Sequence, residues 1–191
     1  MRKIFFFILL VFSCENATKR EIHFIEGNIP NNIFINDFED PLDKIYTYSG
    51  EKSKVIYYYT NNFSPEGKSS LYVKIESLDW AGVLIGLGNQ KGDWSGMNYF
   101  KMKVYGKNSG ETFNITIEDK DSEGFNYELK DNFSGWKEIF IPINEFKQRK
   151  DWQNEKAIKN GIIDYPLKNL QFCRTQKANL ELFFDDFEAV K

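Results

Sequence analysis

Histidine and cysteine are almost absent from this chain of 191 residues, which contains one of the first and two of the second. The single histidine, His23, lies in a polar stretch near the start, so the rest of the chain has no imidazole for a metal site or a catalytic triad. The sequence also lacks a Gly-x-Ser-x-Gly motif, a phosphate loop and a His-Glu-x-x-His motif. Gly86-Leu87-Gly88 lacks the third glycine of a dinucleotide-binding turn. We therefore predict that the protein is not an enzyme.

One acidic pair, Glu118 and Asp121, raises the question of glycoside hydrolysis, because glycosidases place two carboxyl groups on either side of the scissile bond. Acids this close on one turn more naturally bind water, calcium or sugar hydroxyls. The pair does not change the prediction.

Neither sign of charge is in large excess, since 25 Lys and Arg face 28 Asp and Glu and the formal net charge is -3. A protein that binds the phosphate backbone needs a basic stripe, and the sequence has none. We therefore do not expect a nucleic acid as a partner. Long apolar runs are equally scarce, and nothing in 15–191 is a candidate for crossing a membrane.

The first thirteen residues differ from the rest, because Arg2 and Lys3 precede the apolar run 4–12. This pattern is typical of a secretory signal peptide, predicted here as 1–13. The stretch 10–14 resembles a bacterial lipoprotein signal, in which Cys14 becomes the lipidated first residue of an exported chain anchored to a membrane of the cell envelope. The alternative is an ordinary signal peptide that is cut later, with Cys14 removed or free.

Residues 14–30 carry mixed charges, a glycine and a proline, and we interpret them as a tether. Once Cys14 is acylated, Cys173 has no partner for a disulfide and packs as a small hydrophobic residue. Removal of Arg2 and Lys3 changes the net charge from -3 to -5. The remaining residues, 31–191, form the predicted domain.

The sequence of that domain predicts short β-strands. Aromatic residues, which suit strands better than helices, make up 17% of the chain. Apolar and polar residues alternate over five or six positions between turn residues, which predicts strands with one buried and one exposed face. The predicted strands are 55–59, 70–75, 83–87, 100–105, 113–117, 125–129, 137–141, 170–173 and 180–190. The spacing favours an all-β sandwich or barrel of nine or ten antiparallel strands, with a charged stretch at 144–160 that forms a short helix or turn.

The order of several short motifs carries a resemblance. These are Phe38-Glu39-Asp40, Asp93-Trp94-Ser95-Gly96, Glu118-Asp119-Lys120-Asp121, Gly135-Trp136-Lys137, Ile141-Pro142-Ile143-Asn144-Glu145-Phe146 and Phe184-Asp185-Asp186-Phe187. Their succession over about 34–191 resembles the jelly-roll carbohydrate-binding modules of family 11 and the related domain named after complex I intermediate-associated protein 30. The resemblance implies a two-sheet, galactose-binding-like β-sandwich with a structural calcium ion and a sugar-binding groove across its concave sheet.

Acidic segments at both ends of one β-domain suggest that the two ends lie side by side and share a cation. By the resemblance, the matching calcium ligands are Glu39 and either Asp185 or Asp186, with backbone carbonyls from 67–69. The alternative is that these acids only solvate edge strands or cap turns.

Sugar binding needs flat aromatic faces and planar polar groups. If Tyr58 faces the core, Tyr57 and Tyr59 share the other face and form a stacking strip, although the sequence equally allows a tyrosine-rich strand without a ligand. Trp94 and Trp136 read as packing residues, and Trp152 as one that packs the charged stretch onto the body. The candidate ligand-binding residues are Tyr57, Tyr59, Trp80, Tyr127, Asn114, Thr116, Glu118, Gln171 and Arg174.

From these features we expect non-catalytic binding of a polysaccharide or oligosaccharide by a monomeric, lipid-anchored protein of the bacterial cell envelope. The alternative is a structural or interaction lipoprotein that uses the same fold to dock a protein partner, because fold alone does not determine function.

Overall fold

The computed structural model describes residues 32–40, 44–61, 63–65, 67–174 and 176–191. The predicted signal peptide 1–13, Cys14 and the tether 14–30 lie outside the described residues, as does residue 31 at the start of the predicted domain. Within the described part of the chain, no helix has the length and apolar character needed to cross a membrane.

The described residues form twelve strands, one short helix and one 3-10 turn. In chain order they are β1 (Asn32–Asn36), β2 (Ile45–Ser49), β3 (Lys54–Thr60), β4 (Ser70–Ser77), β5 (Ala81–Gly86), α1 (Gly88–Gly92), β6 (Tyr99–Lys107), β7 (Thr112–Glu118), β8 (Gly124–Lys130), β9 (Ser134–Pro142), the 3-10 turn Ile143–Glu145, β10 (Lys147–Gln148), β11 (Asn169–Arg174) and β12 (Ala178–Val190).

The strands make two antiparallel sheets of six strands each. Sheet A has the order β3-β4-β12-β6-β9, with β1 also paired to β12, and sheet B has the order β10-β8-β7-β11-β5-β2. The prediction of an all-β, two-sheet antiparallel sandwich is confirmed. The predicted strands correspond to β3–β9, β11 and β12, and the charged stretch contains the 3-10 turn and β10 before an irregular segment.

Alternation along each strand divides its residues between the core and solvent. In β7, Phe113, Ile115 and Ile117 are buried in the core between the sheets, while Asn114 and Glu118 lie on the opposite face. The centre of the core is aromatic. Its largest fully buried side chains are Trp94, Phe38, Phe100, Phe113, Phe125, Phe172, Phe184 and Phe187. Several of these rings form edge-to-face or tilted pairs, such as Phe38 with Phe187 and Phe172 with Phe184. Such pairs stabilise the core beyond the effect of the buried area.

A β-bulge in β12 explains why both aromatic residues of the closing segment face inward. The register with β6 shifts between Asp185 and Glu188, and Asp186 has a φ of 57°. Because a bulge inserts one unpaired residue, Phe184 and Phe187 lie on the same side of the sheet although they are three positions apart. Both are fully buried.

On the face of sheet A that points away from sheet B, five aromatic residues form a row across five neighbouring strands, each paired with the next in the strand register. They are Tyr58, Tyr72, Phe183, Tyr105 and Trp136. Phe63, from the β3–β4 connection, packs on this row with its ring centroid 4.5 Å from that of Phe183 and 4.6 Å from that of Tyr105. Because most of the rings meet one another tilted or edge to face, the row is a second packing cluster and not a flat platform.

Two fully buried carboxylates hold the long connection between β10 and β11, residues 149–168. Asp119 accepts a hydrogen bond from the backbone N–H of Asp164, and Glu123 accepts from those of Asn160 and Gly161, at N to O distances of 3.0 to 3.4 Å. Burial of these charges is tolerated because backbone donors satisfy them. The connection is therefore fixed against the edge of sheet B without regular secondary structure of its own.

Candidate functional site

A groove of about 740 Å³ lies over the face of sheet B that points away from the core. Its floor includes Tyr48 of β2, Leu84 of β5, Glu118 of β7, and Gln171 and Cys173 of β11. A core residue directly precedes Leu84, Glu118, Gln171 and Cys173 in each strand, so strand alternation places these four on the outer face. Tyr48 shares that face because it lies three positions after the core residue Ile45 in β2. The volume is within the range of about 300–1,000 Å³ that is typical of small-ligand sites.

A chain of hydrogen bonds crosses the floor from one side to the other. The Tyr48 hydroxyl donates to Oε1 of Gln171 at 2.7 Å, and Nε2 of Gln171 donates to Oδ1 of Asn169 at 2.8 Å. Nδ2 of Asn169 in turn donates to Oε2 of Glu118 at 3.0 Å. Gln171 and Asn169 are buried, and burial raises the pKa of the Tyr48 hydroxyl, so this group stays protonated as a donor. The floor therefore presents polar groups in fixed positions.

Gly82 of β5 makes room for this arrangement. A methyl group at Gly82 would lie 2.7 Å from the Tyr48 hydroxyl oxygen and 2.7 Å from the carbonyl oxygen of Phe172. Contacts this short require the neighbours to move. The absence of a side chain at Gly82 is thus what lets the Tyr48 side chain reach over β5 to Gln171 on β11.

One wall of the groove is formed by Trp80, at the end of the β4–β5 connection. The Trp80 ring lies beside the Tyr48 ring, with centroids 6.1 Å apart and an interplanar angle of 29°. Asp79 holds the turn, since it accepts hydrogen bonds from the Trp80 backbone N–H at 2.7 Å and from the hydroxyl of Ser53. Trp80 remains 48% exposed, so its ring is accessible from the groove.

The opposite wall comes from the start of the β10–β11 connection. Arg149 donates two hydrogen bonds to Asp151, at 2.7 and 3.1 Å, and its guanidinium carbon lies 5.5 Å from the ring centroid of Trp152. Burial opposes ionisation of Asp151, but the hydrogen bonds and charge of Arg149 outweigh it and lower the pKa of Asp151. Gln153 fastens this wall to β8, because its side-chain amide pairs with both the N–H and the C=O of Gly124. Trp152 is 60% exposed.

Comparison with known proteins identifies the family. The sequence model of a carbohydrate-binding domain, family 11, matches residues 27–191. The chain belongs to carbohydrate-binding family 11. The resemblance seen in the order of the sequence motifs is thus confirmed for this family. Members of such families are non-catalytic binding modules, which agrees with the prediction that the protein is not an enzyme. No curated protein is matched by this family 11 chain.

Solved structures show the same fold. A family 11 module from Clostridium thermocellum, in complex with a β-1,3-1,4-mixed-linked tetrasaccharide, has a TM-score of 0.74 at 22% identity, over 83% of this chain and 95% of that one. The family 11 module of the cellulosomal cellulase Lic26A-Cel5E of the same organism has a TM-score of 0.73 at 21% identity, over 84% and 94%. A family 30 module of the cellulosomal cellulase Cel9D-Cel44B, also from C. thermocellum, has a TM-score of 0.62 at 17% identity, over 83% and 96%.

The groove of this family 11 domain brings together four of the candidate ligand-binding residues, namely Trp80, Glu118, Gln171 and Arg174. Asn114 lies on the same face of β7, and Thr116, also on that face, is buried with its hydroxyl donating to Oδ1 of Asn126 at 2.6 Å.

Three candidate tyrosines lie elsewhere. Tyr127 is on the core side of β8, 8% exposed and packed near Phe146. Tyr57 and Tyr59 belong to β3 in sheet A, where Tyr59 packs against the core. Because Tyr58 stacks outward on Tyr72, with ring centroids 4.5 Å apart, Tyr57 and Tyr59 face the opposite side. None of the three lines the groove.

The groove-lining residues that sequence reasoning missed include Tyr48, Arg149, Asp151 and Trp152. Tyr48 had a usable signal, because Tyr46 and Tyr48 alternate in a short run that forms β2. The other three belong to an irregular segment, where no periodicity marks the side that faces a ligand.

The two candidate metal ligands Glu39 and Asp185 both contact the described residues of the β3–β4 connection. Oε1 of Glu39 accepts from the backbone N–H groups of Lys68 and Ser69, at 2.6 and 2.9 Å, and Oδ2 of Asp185 accepts from the Ser64 hydroxyl at 2.8 Å. Burial raises the pKa of Asp185 to about 6, against the opposing effect of the Ser64 hydrogen bond. The two ends of the domain therefore meet at one connection.

Asp186 points to a different place. Its Oδ2 atom lies 3.0 Å from Nζ of Lys103 and 3.8 Å from Nζ of Lys101, so its charge is paired on the outer face of sheet A. Within the described ranges, no group of three or more His, Cys, Asp and Glu side chains is arranged to hold a metal ion. Any cation at Glu39 and Asp185 therefore needs backbone carbonyls or water as additional ligands.

Proposed function

We propose that this family 11 domain binds a glycan, without catalysis, in the groove over sheet B. The observation that carries the proposal is the pairing of two exposed tryptophans, Trp80 and Trp152, on opposite walls with a fixed polar floor between them. Flat aromatic faces match the apolar side of a sugar ring, and fixed amide and carboxylate groups match its hydroxyls.

The charges of the groove favour a neutral glycan. Both arginines that line it are paired within the protein, Arg149 with Asp151 and Arg174 with Glu111, whose nearest N to O distance is 3.5 Å. Each guanidinium group already has a carboxylate as its counter-charge, so neither is available to pair with an acidic sugar. Since the similar family 11 module is in complex with a β-1,3-1,4-mixed-linked tetrasaccharide, this class of glucan is the first ligand to test.

The glycan proposal is tested by measuring retention of the full chain in gels that contain mixed-linked β-1,3-1,4-glucan, cellulose derivatives, xylan or polygalacturonate. We expect retention by a neutral β-glucan and none by the acidic polymer. Isothermal titration with the corresponding oligosaccharides then gives the affinity. If protein that shows a cooperative melting transition is retained by none of the polymers, the proposal is wrong.

We also propose that the domain acts as a monomer held at the bacterial cell envelope by an acyl group on Cys14. The support is the charged and apolar order of residues 2–14 and the polar tether that follows. An anchored domain with an open groove would keep a glycan close to the cell surface.

A structural calcium ion at Glu39 and Asp185 is a further part of the proposal. The raised pKa of Asp185 indicates a buried carboxylate whose negative charge is poorly compensated, and a divalent cation would supply that compensation. Backbone carbonyls of 67–69 would add to the six to eight oxygens that calcium takes. The pairing of Asp186 with two lysines makes Asp185 the candidate of the two.

Calcium removal is expected to lower the melting temperature of the full chain, because an ion bound only by the folded state stabilises it by about 2.7 kcal/mol at a hundredfold excess over its Kd. Scanning calorimetry with calcium and with a chelator measures the difference. Asp185→Asn should abolish the response, and Asp186→Asn, the matched control, should keep it. Equal melting temperatures of the wild type in both conditions would refute the calcium site.

A further inference from the structure

The hydrogen bonds across the groove floor have one possible direction, and Glu118 determines it. An ionised carboxylate only accepts, so Asn169 must turn Nδ2 toward Glu118. This leaves Oδ1 of Asn169 for Gln171, which must then donate through Nε2. Oε1 of Gln171 is left for Tyr48, whose hydroxyl must donate.

The three hydrogen bonds must all run in this direction, because reversing one of them disturbs the next. If one amide turned over, two donors or two acceptors would face each other at a buried position, since Asn169 and Gln171 are 8% and 7% exposed. Leaving a buried polar group unpaired is unfavourable. A single carboxylate on β7, at the edge of the floor, thus fixes the orientation of two amides on β11 and one hydroxyl on β2.

We infer that Glu118 is a positioning residue that sets, through Asn169 and Gln171, which floor groups accept from a glycan and which donate to it. The inference rests on the proposed function, because the ligand is taken to be a glycan in this groove. With its proton given to Gln171, the Tyr48 oxygen can only accept from the ligand, as can the remaining lone pairs of Glu118. Both ends of the floor therefore select ligand hydroxyls that donate, while the Gln171 amide, which lines the groove, keeps one N–H for a ligand acceptor.

The first arm of the test uses the full chain without any ligand. In the wild type, nuclear Overhauser effects should connect the side-chain amide protons of Gln171 to Asn169 and not to the Tyr48 ring. In Glu118→Gln, whose new amide can donate or accept, the amide signals of Asn169 and Gln171 should split or broaden. Glu138→Gln, an equal charge change on β9 in sheet A, should leave them unchanged. Two results would overturn the inference. One is nuclear Overhauser effects between the Gln171 amide protons and the Tyr48 ring in the wild type, and the other is a single, unaltered set of amide signals in Glu118→Gln.

The second arm uses mixed-linked tetrasaccharides with fluorine in place of single hydroxyls, because fluorine cannot donate a hydrogen bond. The wild type should bind an analogue altered at a hydroxyl that contacts Tyr48 or Glu118 about tenfold more weakly than the unmodified tetrasaccharide. Glu118→Gln should show a smaller difference in affinity between the two ligands. Equal discrimination by the two proteins would overturn the positioning role of Glu118. If neither protein binds any tetrasaccharide, the proposed function fails, and the ligand-free arm still decides the orientation of the floor.

Discussion

Replacement of Phe187 by alanine is expected to lower the free energy of unfolding by about 3–5 kcal/mol, the usual cost of removing a buried aromatic ring. Phe187 is fully buried, and its ring centroid lies 4.9 Å from that of Phe38, 5.6 Å from that of Phe100 and 5.3 Å from that of Phe172. Phe100 belongs to sheet A and Phe172 to sheet B, so the ring packs both sheets together. Its loss leaves a cavity where the sheets meet.

Chemical denaturation of wild type and variant measures this loss. Phe34→Ala on β1 is the matched control, because the same side chain is removed from a position that is 48% exposed, and its effect should stay below about 1 kcal/mol. A loss at Phe187 no greater than that at Phe34 would show that the aromatic centre of the core is packed differently.

The fold was predictable from the sequence because alternation over five or more residues defines a strand and its buried face. Runs such as Phe113–Ile117 are long enough for this, whereas β10, of two residues, is too short to show a period. Alternation fixes which residues share a face but not which face is buried, and an all-aromatic run does not resolve the choice. This is why the sequence alone could not test the condition that Tyr58 faces the core, whereas in the structure Tyr58 faces outward and stacks on Tyr72.

The candidate site was predictable where strands supply it and at the start of β5, which Trp80 directly precedes. Glu118 and Gln171 follow from the outward positions of β7 and β11. The wall that carries Arg149 and Trp152 depends instead on contacts between distant parts of the chain, such as Gln153 with Gly124 and Gly161 with Glu123. Hydrogen bonds to irregular backbone leave no periodic signal, so no pattern marks this segment as a wall.

Trp80→Ala and Trp152→Ala are each expected to weaken glycan binding about thirtyfold, which corresponds to the roughly 2 kcal/mol of an aromatic anchor at a binding site. The two rings lie on opposite walls and share no contact with each other that the structure records, so the double variant should lose binding approximately as the sum of the two free energies. Isothermal titration with the mixed-linked tetrasaccharide measures each loss.

Stability must be separated from binding in these variants. Tyr58→Ala is the control, since Tyr58 is 49% exposed, close to the 48% of Trp80, but lies on sheet A away from the groove. It should bind the glycan as the wild type does. Trp80→Phe should recover part of the affinity, because it keeps a flat ring at the wall. If Trp152→Ala binds normally while its melting temperature falls, Trp152 only packs the β10–β11 connection onto the body, and the glycan contacts one wall rather than two.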